Sequence, residues 1–168
     1  PFIPENINII AIGSLIKRKK FDLLIELFKS ILLKYNNAHL HILGKGVEEE
    51  NLKDIVSKLN LLNNITFWGF QYNPYNFLYH SDLFVLSSEF EGLPNVVLES
   101  LYLRKKVVVT DCVKYISDLV KNNNLGEVAK INDMIDLKEK LIRCIKNNNY
   151  DYYNNYNSSE FNNYFKEL

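Results

Sequence analysis

Up to about residue 146, short unbroken apolar runs alternate with segments whose apolar residues recur at helical spacing. Asn8 leads Ile9-Ile10-Ala11-Ile12 up to Gly13, the pattern of a strand buried on both faces. Phe21, Leu24, Ile25, Phe28, Ile31, Leu32 and Tyr35 follow at intervals of 3, 1, 3, 3, 1 and 3, which predicts an amphipathic helix. Leu40–Leu43 before Gly44 and Ile65–Trp68 before Gly69 predict two more strands, with a helix carrying Leu52, Ile55, Val56 and Leu59 between them. A short helix near Tyr75–His80 leads into a strand over Leu83–Leu86. Beyond it come a helix over Val96–Leu103, a strand over Val107–Val109 and a short helix over Ile116–Val120. Glu127–Ala129 makes a weak strand, and a last helix carries Leu137, Leu141, Cys144 and Ile145.

Strand and helix alternating in this way predict an α/β fold: a doubly wound, mostly parallel, six-stranded Rossmann-like sheet. It occupies residues 1–149 as one domain, all that 168 residues comfortably allow. Residues 150–168 form a polar, aromatic tail in which Ser158 or Ser159 could cap a final helix carrying Phe161, Tyr164, Phe165 and Leu168. That small apolar face either folds back on this domain or reaches a neighbouring one.

Composition narrows the function classes. With 47% hydrophobic residues the chain can bury a core, which excludes wholesale disorder. Twenty basic residues balance twenty acidic ones, so no global electrostatic grip on nucleic acid is expected. No apolar run is long enough to span a bilayer. Cys112 and Cys144 match no metal or redox spacing, pointing to reduced thiols in a cytoplasmic setting. The chain opens on Pro1 with neither initiator Met nor signal peptide, as an excised piece of a longer protein would.

In open parallel sheets, ligands sit beyond the carboxyl ends of the strands, so the loops after those ends are the ones to search. Gly13, Gly44 with Gly46, and Gly69 stand there, either as ordinary turns or where backbone approaches a ligand. The loop Ser87-Ser88-Glu89-Phe90-Glu91-Gly92-Leu93-Pro94-Asn95 is more informative. Pro94 suits a first helical position, and the free N–H groups of that turn form an anion site. Glu91 precedes the helix, and Glu99 lies roughly 7–8 Å along its axis from Pro94. The two carboxylates either flank a bound diphosphate and accept hydroxyl protons, or act as a helix cap and a solvated side chain. Lys17-Arg18-Lys19-Lys20 stands before a helix N-terminus, where cations oppose the macrodipole; a diphosphate in the crevice would offset that. Arg104-Lys105-Lys106 follows a helix end and reads as structural. His39, His41 and His80 show no ligand spacing, so no metal is expected. Ser87 and Ser88 lack the Gly-Xaa-Ser-Xaa-Gly elbow of a serine nucleophile.

These residues together resemble the C-terminal donor-binding domain of glycosyltransferase family 4 (group 1) enzymes, the C-terminal half of a two-domain GT-B architecture. The resemblance runs from about Ile9 to Ile145. Its strongest element is Glu-x7-Glu, here Glu91-Gly92-Leu93-Pro94-Asn95-Val96-Val97-Leu98-Glu99. Gly13-Ser14-Leu15 with Lys19, His41-Ile42-Leu43-Gly44-Lys45-Gly46, Gly69-Phe70 and Ser81-Asp82-Leu83-Phe84-Val85-Leu86-Ser87 accompany it in family order. The resemblance implies retaining transfer of a hexosyl or N-acetylhexosaminyl group from a UDP- or GDP-sugar to an acceptor hydroxyl, with neither metal nor cofactor. The pathway implied is surface glycan or lipopolysaccharide synthesis.

By the same resemblance Glu99 holds the ribose hydroxyls and Glu91 contacts the donor sugar. Backbone around Gly92, Leu93, Pro94, Asn95 and Val96 meets sugar and phosphate. Lys19 or Lys20 binds the diphosphate beside Gly13 and Ser14, and Gly69 and Phe70 lie by the nucleobase. The acceptor, a sugar or a lipid-linked one, belongs to an N-terminal domain absent from this sequence, and the isolated piece is expected to be inactive. The full-length protein is expected in the cytoplasm, with a peripheral contact at the inner face of the membrane. The chain departs from the family pattern at Ser14, where Arg is usual, so the donor grip is expected either to be weaker or to be supplied by Arg18. Lys20, Lys105-Lys106 and Lys114-Tyr115 also replace residues usual in the family. A non-catalytic sugar-nucleotide-binding or partner subunit is the alternative. A dehydrogenase is disfavoured because Gly44-Lys45-Gly46 lacks the third glycine of a dinucleotide fingerprint.

Overall fold

In a computed structural model, residues 2–147 are described. The tail and its expected helix lie outside them. Six strands, β1 (Ile7–Ile12), β2 (Ala38–Leu43), β3 (Ile65–Gly69), β4 (Leu83–Leu86), β5 (Lys106–Thr110) and β6 (Gly126–Ala129), alternate with six helices. The helices are α1 (Phe21–Leu32), α2 (Glu49–Lys58), α3 (Tyr75–His80), α4 (Asn95–Tyr102), α5 (Lys114–Asn122) and α6 (Met134–Lys146). Every element expected within the described residues is present. The strands line up in the order β3-β2-β1-β4-β5-β6, and each neighbouring pair is parallel, not merely most of them.

Alternate side chains of the central strands enter two separate cores, as a sheet covered on both faces requires. Ile9, Ala11, Leu40, Ile42 and Val85 pack with Leu24, Ile25 and Phe28 of α1 and Leu141 of α6. Ile10, Phe84, Leu86, Val107 and Val109 pack on the other face with Leu78 of α3, Leu98 of α4 and Ile116 of α5. Asp82 joins the centre of the sheet: its carboxylate accepts from Asn8 N–H at 2.7 Å, and its own N–H donates to the Asn8 carbonyl at 2.8 Å.

The strand order decides where a ligand can go. From β1 the chain winds outward through β2 and β3, then returns to the other side of β1 as β4. That reversal opens a crevice at the carboxyl ends of β1 and β4. The loop holding Gly13–Lys20 and the loop holding Ser87–Pro94 meet across it.

Candidate functional site

The basic run following β1 forms a single 3-10 turn, Lys17–Lys19, after which Lys20 adopts a left-handed backbone (φ 53°). The turn sends successive ammonium groups in different directions. Lys19 Nζ donates to Glu91 Oε1, and the pair is well covered, with side chains 15% and 8% exposed. Lys20 turns away to Glu89 at 3.1 Å, whose carboxylate also accepts from Asn132 Nδ2 at 3.2 Å. The Lys20 contact, chiefly, holds Glu89 below the ordinary carboxylate range. Two carboxylates of the loop after β4 thus offset two of the four cations that sequence reasoning left for a diphosphate to balance. Glu91 is not a helix cap.

Glu91 is oriented from below as well. Ser88, 1% exposed, donates to the same Oε1 at 2.6 Å, and Thr110 donates in turn to the Ser88 carbonyl. Ser87 donates to the Lys19 carbonyl at 2.7 Å, and Glu89 N–H to the Arg18 carbonyl at 2.8 Å. Lys19 and Ser88 both bond to Oε1, which leaves Oε2 as an acceptor for a ligand hydroxyl. Sequence reasoning weighs Ser87 and Ser88 only as nucleophiles and misses this role. The signal is present all the same: Ser88 stands only three residues before Glu91 in the same loop.

Pro94 is the residue preceding α4, not its first (φ −79°, ψ 81°), and Asn95 opens the helix. No side chain caps this end, so its first-turn dipoles remain available to an anion, as expected. Gly92 has open space around it; Leu93 is exposed and Val96 half-buried. Glu99 lies one turn further on. Partial burial pushes its carboxyl above the ordinary range, and a hydrogen bond from Tyr75 on α3 pulls it partly back.

Beside this charged centre is a cavity of about 510 Å³. The loops after β1, β2 and β3 build it, laced by Gly13 N–H to the Leu43 carbonyl at 3.0 Å and Gly44 N–H to the Gly69 carbonyl at 2.8 Å. A Cβ on Gly44 would stand 1.9 Å from the Gly13 carbonyl oxygen, so the approach of these two loops requires glycine there. Gly69 turns at φ 66° and hands the chain to Phe70, 56% exposed. Ile12, Leu43, Phe70 and Pro74 give the cavity apolar walls, and Ser14, Lys45 and Gln71 its polar side chains. Arg18 does not line it; the cation on its wall is Lys45. Lys19 lies over Gly13, its Nζ 3.6 Å from where a Cβ would be. Gly13 therefore links the cavity to the Lys19–Glu91 pair.

Trp68 Nε1 donates to His41 Nδ1 at 3.1 Å, so the Nε2 proton of His41 faces Asn8 Oδ1 at 3.1 Å. Burial first, then neighbouring His39, bring His41 down to about 3. Burial also raises the Cys112 thiol. Among the described residues no group of three or more His, Cys, Asp or Glu could hold a metal ion, and no helix is long and apolar enough to cross a membrane.

With this geometry in place, comparison with known proteins is informative. The family model for glycosyl transferases group 1 matches residues 2–161. An uncharacterized glycosyltransferase of Methanocaldococcus jannaschii is 48% identical over 103 residues, covering 61% of this chain and 25% of that protein. The Campylobacter jejuni N-acetylgalactosamine-N,N'-diacetylbacillosaminyl-diphospho-undecaprenol 4-alpha-N-acetylgalactosaminyltransferase is 31% identical over 125 residues, covering 74% of this chain and 33% of the relative. A crystal structure of a point mutant of S. aureus TarM, in complex with Fondaparinux, alpha-GlcNAc-glycerol and UDP, superposes with a TM-score of 0.78. It shares 26% identity and covers 84% of this chain and 29% of that one. The chain spans about a quarter to a third of the length of each.

Proposed function

The chain belongs to the group 1 glycosyl transferases, and from that premise we propose that it is the donor-binding domain of a retaining glycosyltransferase. Its substrate would be a UDP- or GDP-sugar and its pathway surface polysaccharide or lipopolysaccharide synthesis in the cytoplasm. One observation carries the reading: the Lys19–Glu91 pair, the uncapped start of α4 and a 510 Å³ cavity converge at the switch point of the sheet. Ribose hydroxyls donate to Glu99, and a hydroxyl of the transferred hexosyl or N-acetylhexosaminyl group donates to Glu91 Oε2. The diphosphate lies against the α4 turn with Lys19 beside it. The bond from anomeric carbon to diphosphate oxygen breaks with its electron pair going to the diphosphate. Lys19 and the helix dipole stabilise the charge that develops there, a preorganised electrostatic contribution. The acceptor hydroxyl passes its proton to the departing diphosphate oxygen as its own oxygen bonds to the same face of the anomeric carbon. The acceptor, a sugar or lipid-linked one at the membrane surface, is met by a further domain. No step calls on a metal or cofactor.

UDP or GDP at millimolar concentration should raise the melting temperature of the 168-residue chain, and Lys19→Met or Glu99→Ala should shrink the shift. Absence of any shift with the fold verified by circular dichroism overturns the assignment. Ser14, on the cavity wall where the family places Arg, favours a second reading as a non-catalytic nucleotide-sugar-binding subunit. Glu91→Gln in the longer protein separates the two, since it abolishes sugar transfer only in an enzyme.

A further inference from the structure

We propose that the Lys19–Glu91 pair is a latch opened by the donor's own diphosphate: phosphate oxygens draw the Lys19 ammonium off Glu91, and only then is that carboxylate open to the sugar. The inference rests on the donor-binding reading above and adds a coupling between two parts of one substrate. In the free chain the two groups occupy each other. Lys19 Nζ donates to Glu91 Oε1, and the side chains are only 15% and 8% exposed. Oε2 is left without a donor, yet at 8% exposure little of the carboxylate can be reached by a hydroxyl. The ammonium is similarly covered, so a phosphate oxygen gains full access to it only by displacing the pair.

What moves is a side chain alone. The Lys19 carbonyl accepts from Ser87 Oγ at 2.7 Å, and the Lys19 N–H donates to the Ile16 carbonyl at 3.0 Å, so the backbone of the turn is pinned. The stem lies over Gly13, with Cε 3.5 Å from where a Cβ would be, and Gly13 lines the cavity. A point charge on a flexible four-carbon stem can turn from Glu91 toward that side while the loop stays in place. A diphosphate offers it more negative charge than one carboxylate does, and the uncapped start of α4 supports the diphosphate as well. Glu91 keeps its aim when Lys19 leaves, because buried Ser88 still donates to Oε1 at 2.6 Å. The consequence is an order of events. A sugar hydroxyl meets an open acceptor only where a diphosphate is already seated, and departure of the nucleoside diphosphate closes the site again.

Isothermal titration of the 168-residue chain with UDP, GDP and inorganic diphosphate tests this, because none of the three carries the sugar that Glu91 would contact. A closed latch lowers apparent affinity by the fraction of molecules that are open. Glu91→Gln, which keeps the shape and drops the charge, should therefore tighten inorganic diphosphate and the nucleotide that binds by at least about fivefold. In a Lys19→Met background the same change should alter affinity by less than about twofold. A gain of equal size in that background would show plain repulsion between Glu91 and the phosphates and overturn the proposal, as would unchanged or weaker binding to Glu91→Gln. The wild type gives a second measurement, free of any effect of the substitution on folding. In its crystals with the same nucleotide, Lys19 Nζ should stand farther than about 4 Å from the Glu91 carboxylate, and an intact pair overturns the latch. If the wild type binds nucleotide and these results go the other way, the latch fails and the donor-site reading stands. If it binds none of the three probes, both fail.

Discussion

The two halves of the crevice are built on opposite principles. On the β1–β4 side, charge is answered from within: Lys19 on the well-covered Glu91, Ser88 on the same oxygen, and Lys20 on the exposed Glu89. On the β2–β3 side, the walls are apolar, the backbones of the loops are nearly in contact, and the charged wall residue, Lys45, is solvent-exposed. The first half invests in orientation of polar groups before any ligand arrives, the arrangement that electrostatic stabilisation demands. The second invests in shape, as recognition of a flat apolar ring demands. A single strand end, Ile12–Gly13, belongs to both.

The largest effect should come from breaking the charged half. Glu91→Ala strands a mostly buried ammonium and should cost about 3–5 kcal/mol in urea denaturation. The double variant Lys19→Met with Glu91→Gln should recover most of that, and additive losses in the two single variants would refute coupling between the loops. In the shape-built half the vulnerable atom is backbone. Gly44→Ala would place a methyl 1.9 Å from a carbonyl oxygen at φ 140° and should cost about 1–3 kcal/mol. Gly92→Ala, in open space, should stay within about 0.5 kcal/mol of the wild type. Equal losses at the two glycines would remove the distinction.

Small near neutrality, and growing as the pH falls, is a pH dependence lodged beneath the cavity strands. His41 is held neutral by burial and by Trp68 and Asn8. Its folded pKa, about 3, lies below the ordinary 6.5. The unfolded chain therefore binds the proton first, and stability present above pH 6.5 is lost as pH falls toward 3. Over the first pH unit below the ordinary value the loss should be up to about 1 kcal/mol. His41→Gln should flatten that segment of the stability profile, and an unchanged slope would show that other groups carry it.

Legibility from the sequence differs in the same way between regions. The six strands and six helices can all be placed from periodicity, because each rests on which face of a short segment is apolar. Glu99 can be placed because helical spacing sets its distance from the start of α4, whereas Glu91, in the loop before that helix, is singled out by the Glu-x7-Glu resemblance. Pro94 reads one position too far into its helix, since a proline preset near φ of about −65° serves equally well at either position. The pairing of Lys19 with Glu91 is not legible, because 72 residues separate them. Nor is the role of Ser88, whose hydroxyl matters only once the folded loop aims it at a carboxylate. Lys45 sits in plain view between two glycines after a strand, but nothing local indicates that its stem crosses Gly69.

By itself, then, the amino-acid order determined the identity of the elements and the chemical character of each loop. These depend on interactions within a few residues, which the chain carries wherever it goes. Tertiary structure alone decided the strand order, and with it which loops share a crevice. It thereby made a charge pair of two residues that local rules treat as unrelated, and a cavity of three loops that meet only when β2 and β3 lie beside β1. Such contacts depend on how crossovers pack across the sheet, a long-range property that no short window of sequence contains.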